Sequence, residues 1–248
     1  MLLARAIAAF LPAVALAAPA PAPPDLDALL HHLDDLYRSR SSIGRMELSV
    51  TGPRVQRSLR LKAWTIGEDR ALVVIEAPPR EAGTATLKVG ENLWNWLPRI
   101  ARTIRVPPSM MLGSWMGTDF TNDDLVKESS LRKDFTTRIE ARTADPPGWK
   151  LVSDVRPGVV GRWQRIETFV SDERLPVREV FYDRKGRRAR TLTFDDVRAL
   201  GGRRLPARLT LLPEDDPGRR TELRYLELEL DVPVAAETFS LSRLERTR

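Results

Sequence analysis

The 248-residue chain predicts a mainly β, α+β fold. It would be one antiparallel sheet of about ten or eleven strands, preceded by a helix and interrupted near its middle by two short helices. Three observations carry this. Apolar residues recur at three- and four-residue steps from Leu26 to Tyr37, the period of a helix with one buried face. After Ser41 the period falls to two, as in half-buried antiparallel strands. The alternation then breaks once, between Pro107 and Lys127. A sheet of that many strands has to curl or close on itself.

The N-terminus carries one positive charge at Arg5, an apolar run from Ala6 to Ala18, and small residues at Ala15-Leu-Ala17 and Ala18-Pro-Ala20. This is the pattern of a secretory signal peptide over 1–18. The run is too short for a membrane span, which needs about 20 apolar residues. Residues 19–24 read as a Pro/Ala-rich spacer, and 25–248 as one domain. The export signal implies a soluble protein of the periplasm.

Asp25 can cap the first helix, just after Pro23-Pro24. His31, His32, Asp34 and Asp35 fall between its leucines and read as a solvated flank. Adjacent helix positions point about 100° apart, so the two histidines cannot share a metal ion well.

Strand-type alternation runs through Leu59–Ala63, Ala85–Val89, Leu192–Phe194 and Leu226–Leu230. Turn signals separate the runs, among them Gly67-Glu-Asp69, Asp183-Arg-Lys-Gly186 and Gly201-Gly202. In Leu223-Arg-Tyr-Leu226 the apolar residues switch phase, which requires a bulge or sharp bend. In the central break, Ser109–Met116 has helical spacing. Thr121-Asn-Asp-Asp124 has the form of a capping box before Leu125-Val126.

Composition narrows the chemistry. Hydrophobic residues at 42% and charged residues at 30% supply a core and exclude a disordered or multi-span membrane chain. The absence of cysteine excludes disulfides, zinc ribbons, iron–sulfur clusters and thiol nucleophiles. Ser130-Leu-Arg-Lys133 matches S-x-x-K, but the companion S-D-N and K-T-G motifs are missing. No catalytic residue, metal ligand or cofactor is expected. The cluster Arg184-Lys-Gly-Arg-Arg-Ala-Arg190 coincides with a hairpin turn and reads first as a charged, solvated edge. A rim facing anionic lipid headgroups is the second reading, and nucleic acid is not an expected partner.

Large apolar side chains concentrate in one region: four of six tryptophans lie between Trp64 and Trp115, and three of five methionines between Met110 and Met116. An ordinary core explains Trp64 and Trp94 equally well. Methionine on a short segment beside a curved sheet also suits an irregular apolar ligand. The candidate lining is therefore Met110, Met111, Trp115, Met116 and Phe120 from the central segment, with Leu87, Trp94 and Trp96 from the sheet.

The chain resembles the LolA/LolB-like outer-membrane lipoprotein-sorting proteins, especially the branch found with large resistance–nodulation–division-type lipid exporters. The resemblance rests on Pro78-Pro-Arg80, Gly83-Thr-Ala-Thr-Leu87, Leu93-Trp94 with Pro98, and Arg102-Thr-Ile-Arg105. It continues through Met116-Gly-Thr-Asp-Phe-Thr-Asn-Asp-Asp-Leu125, Leu175–Asp183 with Gly186, Leu205-Pro206, and Phe239 with Leu244. Where that family commonly has Gly-Ser-Asp, this chain has Gly117-Thr118-Asp119, keeping a hydroxyl. The resemblance implies an open half-barrel with helices over its mouth. It further implies a monomeric, non-enzymatic carrier of lipid or lipoprotein acyl chains between an inner-membrane exporter (RND/MMPL-type or ABC-type) and an outer-membrane acceptor. A lipid- or lipoprotein-sensing adaptor of the same fold, acting on a membrane partner, is the alternative.

Overall fold

A computed structural model describes residues 22–122, 124, 131–159 and 161–247. The signal-peptide stretch 1–18, the first half of the spacer, Leu125-Val126 and Ser130 lie outside the described residues.

Helix α1 spans Leu26–Asp35, and Asp25 caps it as expected, its Oδ1 accepting the Ala28 N–H at 2.8 Å. A ten-residue helix is marginal alone. Packing holds this one: Leu29, Leu30 and the adjoining Leu36 are buried, contributing about 1.5–3 kcal/mol each.

The first half of the sheet comprises β1 (Ser41–Gly52), β2 (Val55–Ile66), β3 (Arg70–Ala77), β4 (Ala85–Val89), β5 (Asn92–Leu97) and β6 (Arg102–Arg105). The second comprises β7 (Phe135–Ala144), β8 (Pro147–Val155), β9 (Trp163–Ser171), β10 (Pro176–Asp183), β11 (Arg188–Leu200), β12 (Arg203–Pro213) and β13 (Arg220–Leu230). All pairings are antiparallel, in the order β6-β5-β4-β3-β2-β1-β13-β12-β11-β10-β9-β8-β7. Two hairpin meanders are thus joined through β1 and β13, and the sheet stays open at β6 and β7.

The sheet has thirteen strands among the described residues, not ten or eleven. The excess has a physical origin. β6 is four residues with a single apolar side chain, Ile104, too short to show a period. β8 buries Leu151, Val152 and Ser153 in a row, because both its faces are covered there.

The phase switch near Tyr225 is a bulge. Arg45 pairs with Glu227 and Met46 with Tyr225, leaving Leu226 as the extra residue, 42% exposed. The extra residue returns Leu228 to the concave face opposite Gly44, while Tyr225, in phase with Leu223, also faces it and stacks on Tyr37 with ring centroids 5.1 Å apart.

The central segment departs from expectation. Ser109–Met116 is no α-helix: a 3-10 turn covers Pro108–Met110, and Ser114 forms a bridge with Thr121. Gly113 and Gly117 loosen the segment, and the Asn122 amide donates to the carbonyls of Met110 and Gly113. The capping box does form. Thr121 N–H donates to Asp124 Oδ2 at 2.7 Å, and Asp124 N–H donates to Thr121 Oγ1 at 3.1 Å. Short helices also occur at Leu131–Asp134 and Leu241–Leu244.

Gly148 shows how tightly β8 and β9 approach. A Cβ there would lie 2.0 Å from the Val170 carbonyl oxygen, which is backbone and cannot rotate away. Gly148→Ala is expected to cost at least ~2 kcal/mol, read as a fall in the urea midpoint. An unchanged midpoint would contradict the close approach of β8 and β9 at Val170.

Candidate functional site

The concave face encloses a cavity of about 350 Å³, within the size range of small-ligand pockets. One wall comes from the first meander, with Gly44, Met46, Leu61 and Val73. The other comes from the second, with Ile166, Phe181, Leu209 and Leu223. Helix α1 contributes Leu33 and Asp34, the turn after it Tyr37, and the segment after β6 Trp115 and Phe120.

That segment runs from one open edge of the sheet towards the other and roofs the cavity. Trp115 Nε1 donates to Thr86 Oγ1 on β4 at 3.0 Å. Arg57 on β2 donates to the Met116 carbonyl and pairs with Glu81. Asp119 accepts from Thr221 Oγ1 and from Arg219 Nε, both at 2.6 Å, at the start of β13. The Thr118 hydroxyl is used internally, donating to the Trp115 carbonyl at 2.8 Å and accepting the Phe120 N–H at 3.2 Å. The roof is thus pinned to both halves of the sheet.

Its last described anchor is ionic. Arg190 of β11 makes a two-pronged pair with Asp124, 2.7 Å on each arm. The guanidinium carbon lies 4.4 Å from the Trp163 ring centroid and 4.3 Å from that of Phe181. Both side chains are buried, 7% and 16% exposed. Burial opposes charge on Asp124, but the Arg190 charge and hydrogen bonds, with those of Thr121, hold its carboxyl below the usual range. The basic run therefore does not read as one solvated edge. Arg184 donates to the Gly161 and Val159 carbonyls, Arg187 pairs with Asp183 and Arg188 with Glu214, while Arg190 enters the interior.

Of the eight side chains expected to line a cavity, the structure brings Trp115 and Phe120 to it. Leu87, Trp94 and Trp96 lie on the opposite face of the sheet, packed with Leu72, Phe239 and Leu244 under the C-terminal segment. β4 presents Thr86 and Lys88 to the cavity instead. Met110 is exposed, Met111 is partly buried, and Met116 packs beside Trp115 without reaching the cavity wall.

Two further carboxylates at the cavity lie outside the expected lining, Glu179 and Asp34, and Asp34 is not part of a solvated helix flank as expected, its Oδ2 being buried. Glu179 is in phase with Phe181 on β10, and Asp34 interrupts the apolar stripe of Leu30 and Leu33 that continues to Tyr37 beyond α1. A charge placed in phase with apolar neighbours was the available signal. Burial is the main force pushing Glu179 up to about 7, with Arg190 and Thr168 opposing and Asp34 and Asp124 adding. Burial likewise pushes Asp34 up to about 6, against the pull of Arg38. Glu179 retains some open surface, but it faces the cavity rather than bulk water.

A carboxyl raised on folding binds its proton more tightly in the native state. Glu179 therefore withdraws stability as pH rises from its unfolded value near 4.5 to its folded value of about 7. Glu179→Gln is expected to gain stability relative to the parent over that window, by roughly 2–3 kcal/mol at pH 8. Urea titrations of both proteins at pH 5 and pH 8 measure it; a constant difference between them would contradict a buried, proton-retaining Glu179.

Among the described residues, no group of three or more His, Asp or Glu is placed to hold a metal, and no helix is long and apolar enough to cross a membrane. His31 pairs with Asp35 at the surface at 3.3 Å, and burial is the main force lowering the partly buried His32.

Known proteins match this architecture. A DUF1329 family protein from Desulfovibrio piger superposes with a TM-score of 0.78 at 20% identity, covering 88% of this chain and 96% of its own. A domain from Vibrio parahaemolyticus named for outer-membrane lipoprotein sorting gives 0.71 at 20%, covering 88% and 97%. A LolA superfamily protein from Nitrosomonas europaea gives 0.71 at 18%, covering 88% and 98%. No curated protein matches in sequence. A family model described as an uncharacterized protein matches residues 67–246. This chain belongs to that family, and its fold is that of the LolA-like lipoprotein-sorting proteins.

Proposed function

We propose that the protein is a periplasmic carrier. It binds a lipid or lipoprotein acyl chain in the cavity between sheet and roof and moves it between an inner-membrane exporter, of RND/MMPL or ABC type, and an outer-membrane acceptor. The observation that carries this reading is the mainly apolar cavity walled by both meanders and roofed by the Trp115–Phe120 segment. The names of the structural neighbours support it. Exposing a sixteen-carbon chain to water costs on the order of 12 kcal/mol, at about 0.8 kcal/mol per methylene. Crossing an aqueous gap therefore requires apolar walls in place of water.

In this reading residues 1–18 are removed on export, 25–248 form the working domain, and the protein acts as a monomer without catalysing a reaction. Trp115 and Phe120, which reach the cavity, are its cargo contacts among the eight candidate side chains. Protein recovered from its native periplasm is expected to yield lipid in organic extract by mass spectrometry. After delipidation it is expected to take up a fluorescent fatty-acyl probe with a change in tryptophan emission. An extract free of lipid, together with no probe uptake, would overturn the proposal.

A further inference from the structure

We propose that the cavity selects cargo by its head: an amphiphile whose hydrocarbon tail ends in a hydrogen-bond-donating, non-anionic group, a hydroxyl or an amine, received by Glu179 and Asp34. This rests on the carrier reading and adds the class of ligand.

The polar groups facing the cavity are unequally satisfied. The cations are largely engaged, the buried Nε of Arg190 lacking a partner among the described residues. Arg190 commits both terminal nitrogens to Asp124, with its guanidinium between Trp163 and Phe181. Lys88 Nζ donates to the Glu68 carbonyl at 2.6 Å, and Arg38 also has a partner. The Tyr37 hydroxyl donates to the Pro206 carbonyl at 2.8 Å.

The carboxylates are not equally engaged. Glu179 receives one long hydrogen bond, from Thr168 Oγ1 at 3.4 Å, although a carboxylate can accept about four. Asp34 Oδ2 is buried with no hydrogen-bond partner. Both line the same cavity, one from the sheet and one from the covering helix, and Asp34 is close enough to disfavour charge on Glu179.

Spare acceptors in a low-dielectric pocket are costly until a donor arrives. An alcohol or amine head supplies one, and an ammonium also offsets the negative charge. A carboxylate or phosphate head would bring further acceptors and repulsion to acceptors that already lack partners. The aliphatic wall of Leu61, Val73, Leu209 and Leu223 is left for the tail.

The test is displacement of a neutral fluorescent acyl probe from delipidated protein at pH 8 by hexadecanol, hexadecylamine, palmitate and hexadecane. The alcohol and the amine are expected to bind at least tenfold more tightly than palmitate and hexadecane. Glu179→Leu is expected to erase that preference while hexadecane binding persists. Asp34→Asn, nearly isosteric, is expected to reduce the preference for the amine at least threefold. Palmitate binding as tightly as the alcohol and amine would overturn the head selection and leave the carrier reading intact. Failure of the probe and of all four compounds to bind would overturn the carrier reading, and this inference with it. Urea midpoints of both variants show that they are folded.

Discussion

Arg190→Ala is expected to lower the stability of the protein by about 3–5 kcal/mol, the usual cost of leaving one member of a buried ion pair alone. Asp124 is buried, and without Arg190 its carboxylate keeps, among the described residues, the hydrogen bond from the Thr121 N–H. The guanidinium also fills the space between Trp163 and Phe181, so truncation removes packing as well as charge. Asp124→Asn is expected to cost nearly as much by stranding Arg190, whose Nε is already buried without a partner. The double variant is expected to cost less than the sum of the two single changes. Urea unfolding of the four proteins measures this, and additive losses under ~1 kcal/mol each would refute the pair. The sign with pH follows from the depressed Asp124 carboxyl. The pair's stabilisation is complete above the ordinary aspartate range near 4 and is lost as pH falls through the lower folded value. This trend is opposite to that of Glu179 and is confined to more acid solution.

Ala63→Trp is expected to lower affinity for an acyl probe by at least tenfold with little loss of stability. Ala63 faces the cavity from β2, beside Leu61 and Val73. An indole placed there would occupy much of a void of about 350 Å³. Overpacking a filled core costs about 1–3 kcal/mol, whereas entering a true void does not. The urea midpoint and the probe titration therefore report separately on the void and on its use. Leu226→Trp, at the exposed bulge residue, is the matched control and is expected to change neither. A strongly destabilised Ala63→Trp that still binds probe would show that cargo sits elsewhere.

Local chemistry explains why some features were legible in the sequence. The Asp25 cap, the capping box of Thr121 and Asp124, and the bulge opposite Arg45 and Met46 each depend on residues a few positions apart. The alternating strands and the large curled sheet were readable for the same reason. Ser109–Met116 is not a helix because helical spacing of apolar residues does not outweigh Gly113, the Gly117 that follows, and a bridge from Ser114 to Thr121. Leu87, Trp94 and Trp96 differ: the alternation over Ala85–Val89 does not tell which face of β4 is the inner one, and the clustering of tryptophans does not tell it for β5. Under the C-terminal segment both faces of β4 are buried, and the apolar one points away from the cavity.

The sequence by itself determined most of the element types, the antiparallel character of the large sheet and the family resemblance, since these reside in short-range periodicity and contiguous motifs. Tertiary structure decided that β1 pairs with β13, that Arg190 meets Asp124 across 66 positions, and that Glu179 and Asp34 share one cavity. Those relations depend on which surfaces the curled sheet brings opposite one another. Burial, and with it the cost of a lone charge or an idle acceptor, exists only once the distant walls have closed around it.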